Sequence, residues 1–436
     1  MDEDEEAIVD GKRRVRRRSR LTRRLLANLR PHARAPPKRF RVSPGSPEPE
    51  WIEAGVVHVQ RPSPRRLKTK GALRGRAGMI NRWLCGPIAL QAGRVIEFPP
   101  ASLGINPVIW SLQILRFVAA TMVVYVHAAQ VAIVATGSAS DVVPHALVGL
   151  GLTGVDLFFV ISGVVIAKTA PSLTPTLFMW RRIRRIIPFY YLCCIPALLM
   201  AVFSADSGWR ELVATFLLWP ATDVMTAPLL GVAWTLCFEM LFYGCAALVL
   251  LDRRWLYALL ALYAGAFALR SVAPLFQFLG NPLILEFVFG VAIARARLVR
   301  AGIWFLPLGF VALLCAGLLN LAPTGGTLDF LKGSESIQRV FVIGVPAALI
   351  VYGAMHWKTR PTVWTDLGDA SYSIYLVHVL IVTSLQALWT AFPIQPDVIT
   401  VVTTGAAVVF AWRVHKLFEL PILGALPKQI GRSASF

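Results

Sequence analysis

A chain of 436 residues is long enough for two or three soluble domains. Its composition rules that out: 56% of residues are hydrophobic, only 16% are charged, and the mean hydropathy is +0.61. An ordinary globular protein is about a quarter charged, so a soluble enzyme and a disordered protein are both excluded for most of the chain. A polytopic, all-α membrane protein remains. The net charge of +20 is uneven, with 23 Lys and Arg against 10 Asp and Glu in residues 1–100, and 21 against 14 in the rest.

Residues 1–100 open with an acidic stretch and an Arg run from Lys12 to Arg24, followed by Pro-rich sequence. No apolar period persists there, so a disordered basic segment is expected. No apolar core follows the Arg run, so it is not a signal peptide. Three readings stand side by side. It is a tail lying on anionic lipid, a nucleic-acid-binding arm that lacks interleaved aromatics and is the least favoured, or translated sequence upstream of a true start at Met79. The six cysteines show no paired spacing, so neither a disulfide framework nor a zinc site is expected.

From residue 101 to 425 the chain reads as one transmembrane domain, with a short tail over 426–436. Apolar runs at 108–133, 147–167, 188–203, 229–251, 255–270, 274–294, 303–321, 338–356, 371–391 and 397–420 predict about ten transmembrane helices. The apolar stretch Trp209–Pro220 is too short to cross and reads as interfacial or re-entrant. With the N-terminus placed in the cytoplasm, sixteen Lys and Arg residues fall in inner breaks and four in outer ones. The positive-inside rule therefore predicts both termini in the cytoplasm.

A charged side chain at mid-bilayer costs about 2.5–3.5 kcal/mol, so each one needs a reason. In the first span Arg116 and His127 are eleven residues apart, about 20° past three full turns and about 16 Å along the axis. They share one face, with Gln113 and Gln130 close to it. Asp156 lies in the second span, Glu239 in the fourth and Glu286 in the sixth. The ninth carries Tyr372, Tyr375 and His378 at i, i+3 and i+6. By depth, His127, Asp156 and Glu239 are expected at one level, a general-base arrangement. The plain alternative for a membrane histidine is an interhelical hydrogen bond, and it is the favoured one for His378. The run Arg181-Arg182-Ile183-Arg184-Arg185 is a stop signal and, read more sharply, an anion site.

These motifs resemble the type 3 integral-membrane acyltransferases over about residues 106–422. The resemblance rests on Arg116 and His127, on Gly154-Val155-Asp156-Leu157-Phe158-Phe159 through Ser162-Gly163, and on Arg182 and Arg185 before Ile186-Ile187-Pro188. It continues with Trp234-Thr235-Leu236 leading to Glu239 and Phe242-Tyr243, Ser371-Tyr372-Ser373-Ile374-Tyr375-Leu376 with His378, and Glu419-Leu420-Pro421. It implies a membrane-bound O-acyltransferase of the bacterial inner membrane. Such an enzyme moves an acyl group, acetyl in the first instance, from cytoplasmic acyl-coenzyme A to a hydroxyl of a saccharide or glycolipid.

No cofactor is implied as permanently bound; acyl-coenzyme A is a donor substrate. Arg182, Arg185 and Arg116 would hold its phosphates, and His127 would act as base. Asp156 or Glu239 would orient the imidazole or hold the acceptor. Direct transfer is the preferred route, since no clear Ser or Cys nucleophile stands beside His127, and an acyl-enzyme route stays open. Two features depart from the family: the Arg-rich arm, and a chain end so close to Glu419 that no esterase-like outer domain is expected. The competing class is a saccharide or lipid transporter or flippase, against which the two halves show no clear internal repeat.

Overall fold

The computed structural model describes residues 109–204, 208–296, 300–323 and 325–426. The segment over 1–100 and all but the first residue of the tail over 426–436 lie outside them. The described residues form helices joined by turns, with one isolated bridge between Ala221 and Met225. Backbone polar groups in a bilayer have no water to bond, so each apolar run closes its own hydrogen bonds as a helix.

The principal helices are α1 (Trp110–Thr136), α2 (Thr153–Thr169), α3 (Pro175–Ser204), α4 (Trp209–Leu217), α5 (Trp234–Leu251), α6 (Trp255–Ala268), α7 (Pro274–Leu279), α8 (Ile284–Arg295), α9 (Phe305–Leu318), α10 (Val345–His356), α11 (Val363–Asp369), α12 (Ser371–Ala391) and α13 (Pro396–Val414). Continuous helical runs make nine of the described segments long and apolar enough to cross a membrane. The tenth expected span is α6, whose 14 residues rise about 21 Å, short of the roughly 30 Å hydrocarbon core. Helix α5 runs from Trp234, at one cavity, to Tyr243, at a second, and α8 starts again at the level of the first.

The third span also differs from expectation. Helix α3 begins at Pro175 rather than 188, because Thr174 caps it: Leu177 N–H donates to Thr174 Oγ1 at 3.3 Å. The arginine cluster is therefore helical, and Arg182 and Arg185, three apart, share a face. Arg184 points elsewhere and donates to the carbonyls of Leu423 and Leu426, both at 3.1 Å.

Helix α1 is the hub, packing against α2, α11, α12 and α13. The most extensive helix pair is α2 with α8, and glycine makes it possible. A Cβ on Gly163 would lie 2.1 Å from the Phe287 carbonyl oxygen, and one on Gly290 would lie 2.0 Å from that of Val160. Gly154 meets α1 in the same way, at 2.2 Å from the Ala119 carbonyl oxygen. The glycines flanking the second-span motif are thus the points where backbones touch. Near the other end of the chain, Glu419 closes a π-turn over His415–Glu419. It accepts from Ser373 Oγ at 2.6 Å and sits 2.7 Å from His415 Nδ1, tying α13 to α12.

Candidate active site

The polar face of α1 opens onto two cavities. The first, about 110 Å³, is lined by Arg116, Arg182, Arg185, Ser162, Glu239, Tyr243, Ser371 and Tyr372 among others. The second, about 200 Å³, is lined by His127, Gln130, Trp234, Thr327, Phe330 and Arg339 among others. Val155 and Tyr375 line both, so two side chains form the wall between them.

The basic cavity is built by five helices, α1, α2, α3, α5 and α12. Arg116 Nη1 donates to Gln113 Oε1 at 3.4 Å, and Gln113 Nε2 donates to Asp369 at 2.6 Å. This chain anchors the arginine to α11. Arg182 donates to Thr169 Oγ1 at 2.9 Å and lies 5.4 Å from the ring centres of both Phe178 and Tyr243. Among the described residues Glu239 is the one carboxylate in the wall. It accepts from Ser162 Oγ at 3.0 Å and from the Tyr243 hydroxyl. Three guanidinium groups against one carboxylate leave the cavity net positive, a composition suited to an anion.

In the histidine cavity, His127 Nδ1 lies 2.8 Å from the Val123 carbonyl oxygen one turn back on α1. A carbonyl only accepts, so in the neutral ring Nδ1 carries the proton and Nε2 the lone pair. Trp234 stacks on Phe330 with ring centres 5.1 Å apart, and Arg339 lies 4.5 Å over the same Phe330.

The expected meeting of His127, Asp156 and Glu239 does not occur in that form. Asp156 is engaged by Arg339, whose Nε and Nη2 donate to its two oxygens at 2.9 and 2.7 Å. Both side chains are buried, at 0% and 3% exposure. Arg339 also donates to the Leu152 carbonyl at 3.2 Å. Glu239 belongs to the basic cavity, with Arg116, Arg182 and Arg185. The reason is specific pairing: an arginine that enters the membrane region needs a carboxylate, and Asp156 supplies it. His127 is oriented by its own backbone, not by an acid.

Arg339 is the residue that sequence reasoning missed. It stands at the start of an apolar run and so reads as an outer-side flanking charge. The signal was available in Asp156, a buried carboxylate without an assigned partner. His378, read as structural, lies beside His127 with ring centres 5.0 Å apart. Among the described residues no group of three His, Cys, Asp or Glu side chains is placed to hold a metal.

A multi-pass helical bundle with these paired cavities is a membrane acyltransferase, and the chain belongs to the acyltransferase-domain family, whose profile matches residues 109–415. That membership sets aside the transporter reading. The chain is 28% identical over 292 residues to the exopolysaccharide production protein ExoZ of Rhizobium meliloti (strain 1021), a match covering 63% of this chain and 90% of the relative. It is 26% identical over 314 residues to the acyltransferase MdmB of Streptomyces mycarofaciens, covering 62% of this chain and 78% of the relative. No solved structure matches it significantly.

Proposed function

We propose that this acyltransferase takes an acetyl group from acyl-coenzyme A at the cytoplasmic face and transfers it to a hydroxyl of a saccharide or glycolipid bound from the opposite side. The observation that carries this reading is the pair of cavities sharing a two-residue wall, one basic and one holding His127. In this reading the end of the bundle with the arginines is cytoplasmic, an orientation the positive-inside rule supports; both termini then lie inside, and the membrane is the bacterial inner one. The name of ExoZ concerns exopolysaccharide, and that supports a saccharide acceptor here.

In this reading Arg182 and Arg185 hold the donor's phosphates, with Arg116 nearer the wall. The thioester end reaches Val155 and Tyr375. The acceptor lies in the histidine cavity, where Trp234 and Phe330 offer an aromatic face and Gln130 and Thr327 offer polar atoms. His127 Nε2 takes the proton of the attacking hydroxyl, and the oxygen attacks the thioester carbonyl directly. Asp156 contributes by holding Arg339 in the acceptor wall. Glu239 keeps Ser162 and Tyr243 in place around the donor.

Donor binding separates the roles of adjacent arginines. Arg182→Ala and Arg185→Ala are each expected to weaken binding of acetyl-coenzyme A by roughly tenfold or more in equilibrium dialysis, since a charge-assisted hydrogen bond is worth about 1.5–3 kcal/mol. Arg184→Ala, which removes only contacts to Leu423 and Leu426, is expected to leave affinity unchanged. Equal affinities across all three variants would contradict the assignment. Mass spectrometry of surface glycans with and without the protein then identifies the acceptor by its lost acetyl mass.

A further inference from the structure

Two histidines from different helices are fixed by one device. As His127 Nδ1 faces the Val123 carbonyl, so His378 Nδ1 lies 3.1 Å from the Ile374 carbonyl oxygen on α12. In each neutral ring the lone pair therefore resides on Nε2. His378 is fully buried, and its Nε2 has no hydrogen-bond partner among the described residues. A buried acceptor left unpaired is costly, so this nitrogen calls for a donor. The ring beside it is His127, at 5.0 Å between centres and 59° between planes. The neighbouring Tyr375 does not fill this role, because its hydroxyl donates to the Val232 carbonyl at 2.9 Å and accepts from Thr235 at 3.0 Å.

We propose that His378 is the proton-sharing partner of His127: once His127 Nε2 has taken the acceptor's proton, that N–H donates to His378 Nε2. The proposal rests on the reading of His127 as the base and adds to it what stabilises the protonated base where water is scarce. The step balances without a further reactant. The hydroxyl O–H bond breaks as the new O–C bond forms, and the thioester C–S bond breaks. The sulfur leaves as a thiolate. The proton held between the imidazoles returns to that sulfur, giving a thiol and two neutral rings. His378 touches neither substrate in this scheme and is a positioning residue.

The charges around the pair do not duplicate the role. On α2, Asp156 is bound by Arg339, and Arg339 is the member of that ion pair that lines the histidine cavity. On α13 the charged residues are Asp397, engaged by Ser140 and the Asp141 amide, and Arg413, in the last turn. On α11, Asp369 is taken by Gln113 near the basic cavity. Among the described residues no carboxylate bonds either imidazole, so a second imidazole is the group placed to share the proton.

Sharing stabilises the protonated His127. Turnover, which needs the neutral base, therefore falls at a higher pH in the wild type than it would with an isolated histidine. His378→Leu, which keeps an apolar side chain but removes the acceptor, is expected to lower kcat by about 10- to 100-fold. KM for acetyl-coenzyme A should stay within twofold, and the acid limb of the pH–rate profile should move to lower pH. His378→Gln retains an acceptor oxygen and should recover part of the rate.

An unshifted acid limb with kcat within twofold in His378→Leu would overturn the proposal. So would His378→Gln and His378→Leu losing rate, donor affinity and thermal stability in parallel, which is the signature of a merely structural histidine. If wild type transfers acetyl and His127→Gln does not, while His378→Leu behaves as wild type, proton sharing fails and the base assignment stands. Absence of transfer by the wild type would fail the functional reading itself.

Discussion

Removing the Asp156 carboxylate by Asp156→Ala strands a guanidinium in the interior of the bundle. Asp156 is fully buried and accepts two bonds from Arg339, which is itself only 3% exposed. Breaking one side of a buried ion pair costs about 3–5 kcal/mol, because the remaining charge stays unpaired. Glu286 moderates this cost. It is fully buried, lies beside Asp156 within electrostatic reach of Arg339, and its oxygens bond no donor among the described residues.

Asp156→Ala alone should therefore fall near the low end, about 3 kcal/mol, while Asp156→Ala with Glu286→Gln should approach 5 kcal/mol. Replacing the pair by Asp156→Leu with Arg339→Met should recover most of the stability, since a packed apolar pair is often as stable as a buried ion pair. The assay is unfolding of the purified protein in mixed micelles by titration with denaturing detergent. A loss below about 1 kcal/mol in Asp156→Ala, or additivity of Asp156→Ala and Glu286→Gln, would refute the reasoning, because coupled neighbours depart from additivity by about 0.5 kcal/mol or more.

Gly290→Val should abolish accumulation of folded protein, because its Cβ would sit 2.0 Å from the Val160 carbonyl oxygen, whereas Gly405→Ala, which meets nothing within 4 Å, should fold as wild type; size-exclusion profiles of the two variants check this. A reporter active only in the cytoplasm should be on when fused after Arg185 and off when fused near Ala139, and the reverse pattern would invert the proposed orientation. Tyr243→Phe removes one of the two bonds to Glu239 and a neighbour of Arg182 is kept as a ring; donor affinity should fall by a few-fold at most, measured by the same dialysis.

The helical bundle was legible because hydropathy and basic flanks report directly on the membrane. The start of α3 was less so. Its cap, Thr174, precedes a run of arginines that interrupts the apolar signal, yet arginine is a good helix former and the helix continues through it. The face shared by Arg116 and His127 followed from their spacing, and both open onto cavities. What spacing along one helix does not contain is which partner another helix brings. Asp156 and Glu239 were read as carboxylates inside the bundle, and Asp156 is buried while Glu239 is half-buried; Tyr243, one turn along the same helix, was within reach of a single-helix argument for Glu239, but Arg339 and Ser162 come from elements whose rotation no such argument fixes. His378 shows the same limit. Its spacing from Tyr375 was plain, while its place beside His127 depends on how α12 packs against α1.

The central claim is that His127 is the base that activates the acceptor, distinct from the arginines that bind the donor. Purified wild type and His127→Gln, given acetyl-coenzyme A and a saccharide acceptor found by the glycan comparison, test it by single-turnover transfer alongside donor binding. The prediction is that His127→Gln binds donor with unchanged affinity and transfers at least about 10²-fold more slowly, the usual worth of general-base catalysis. Near-normal transfer by His127→Gln would contradict it.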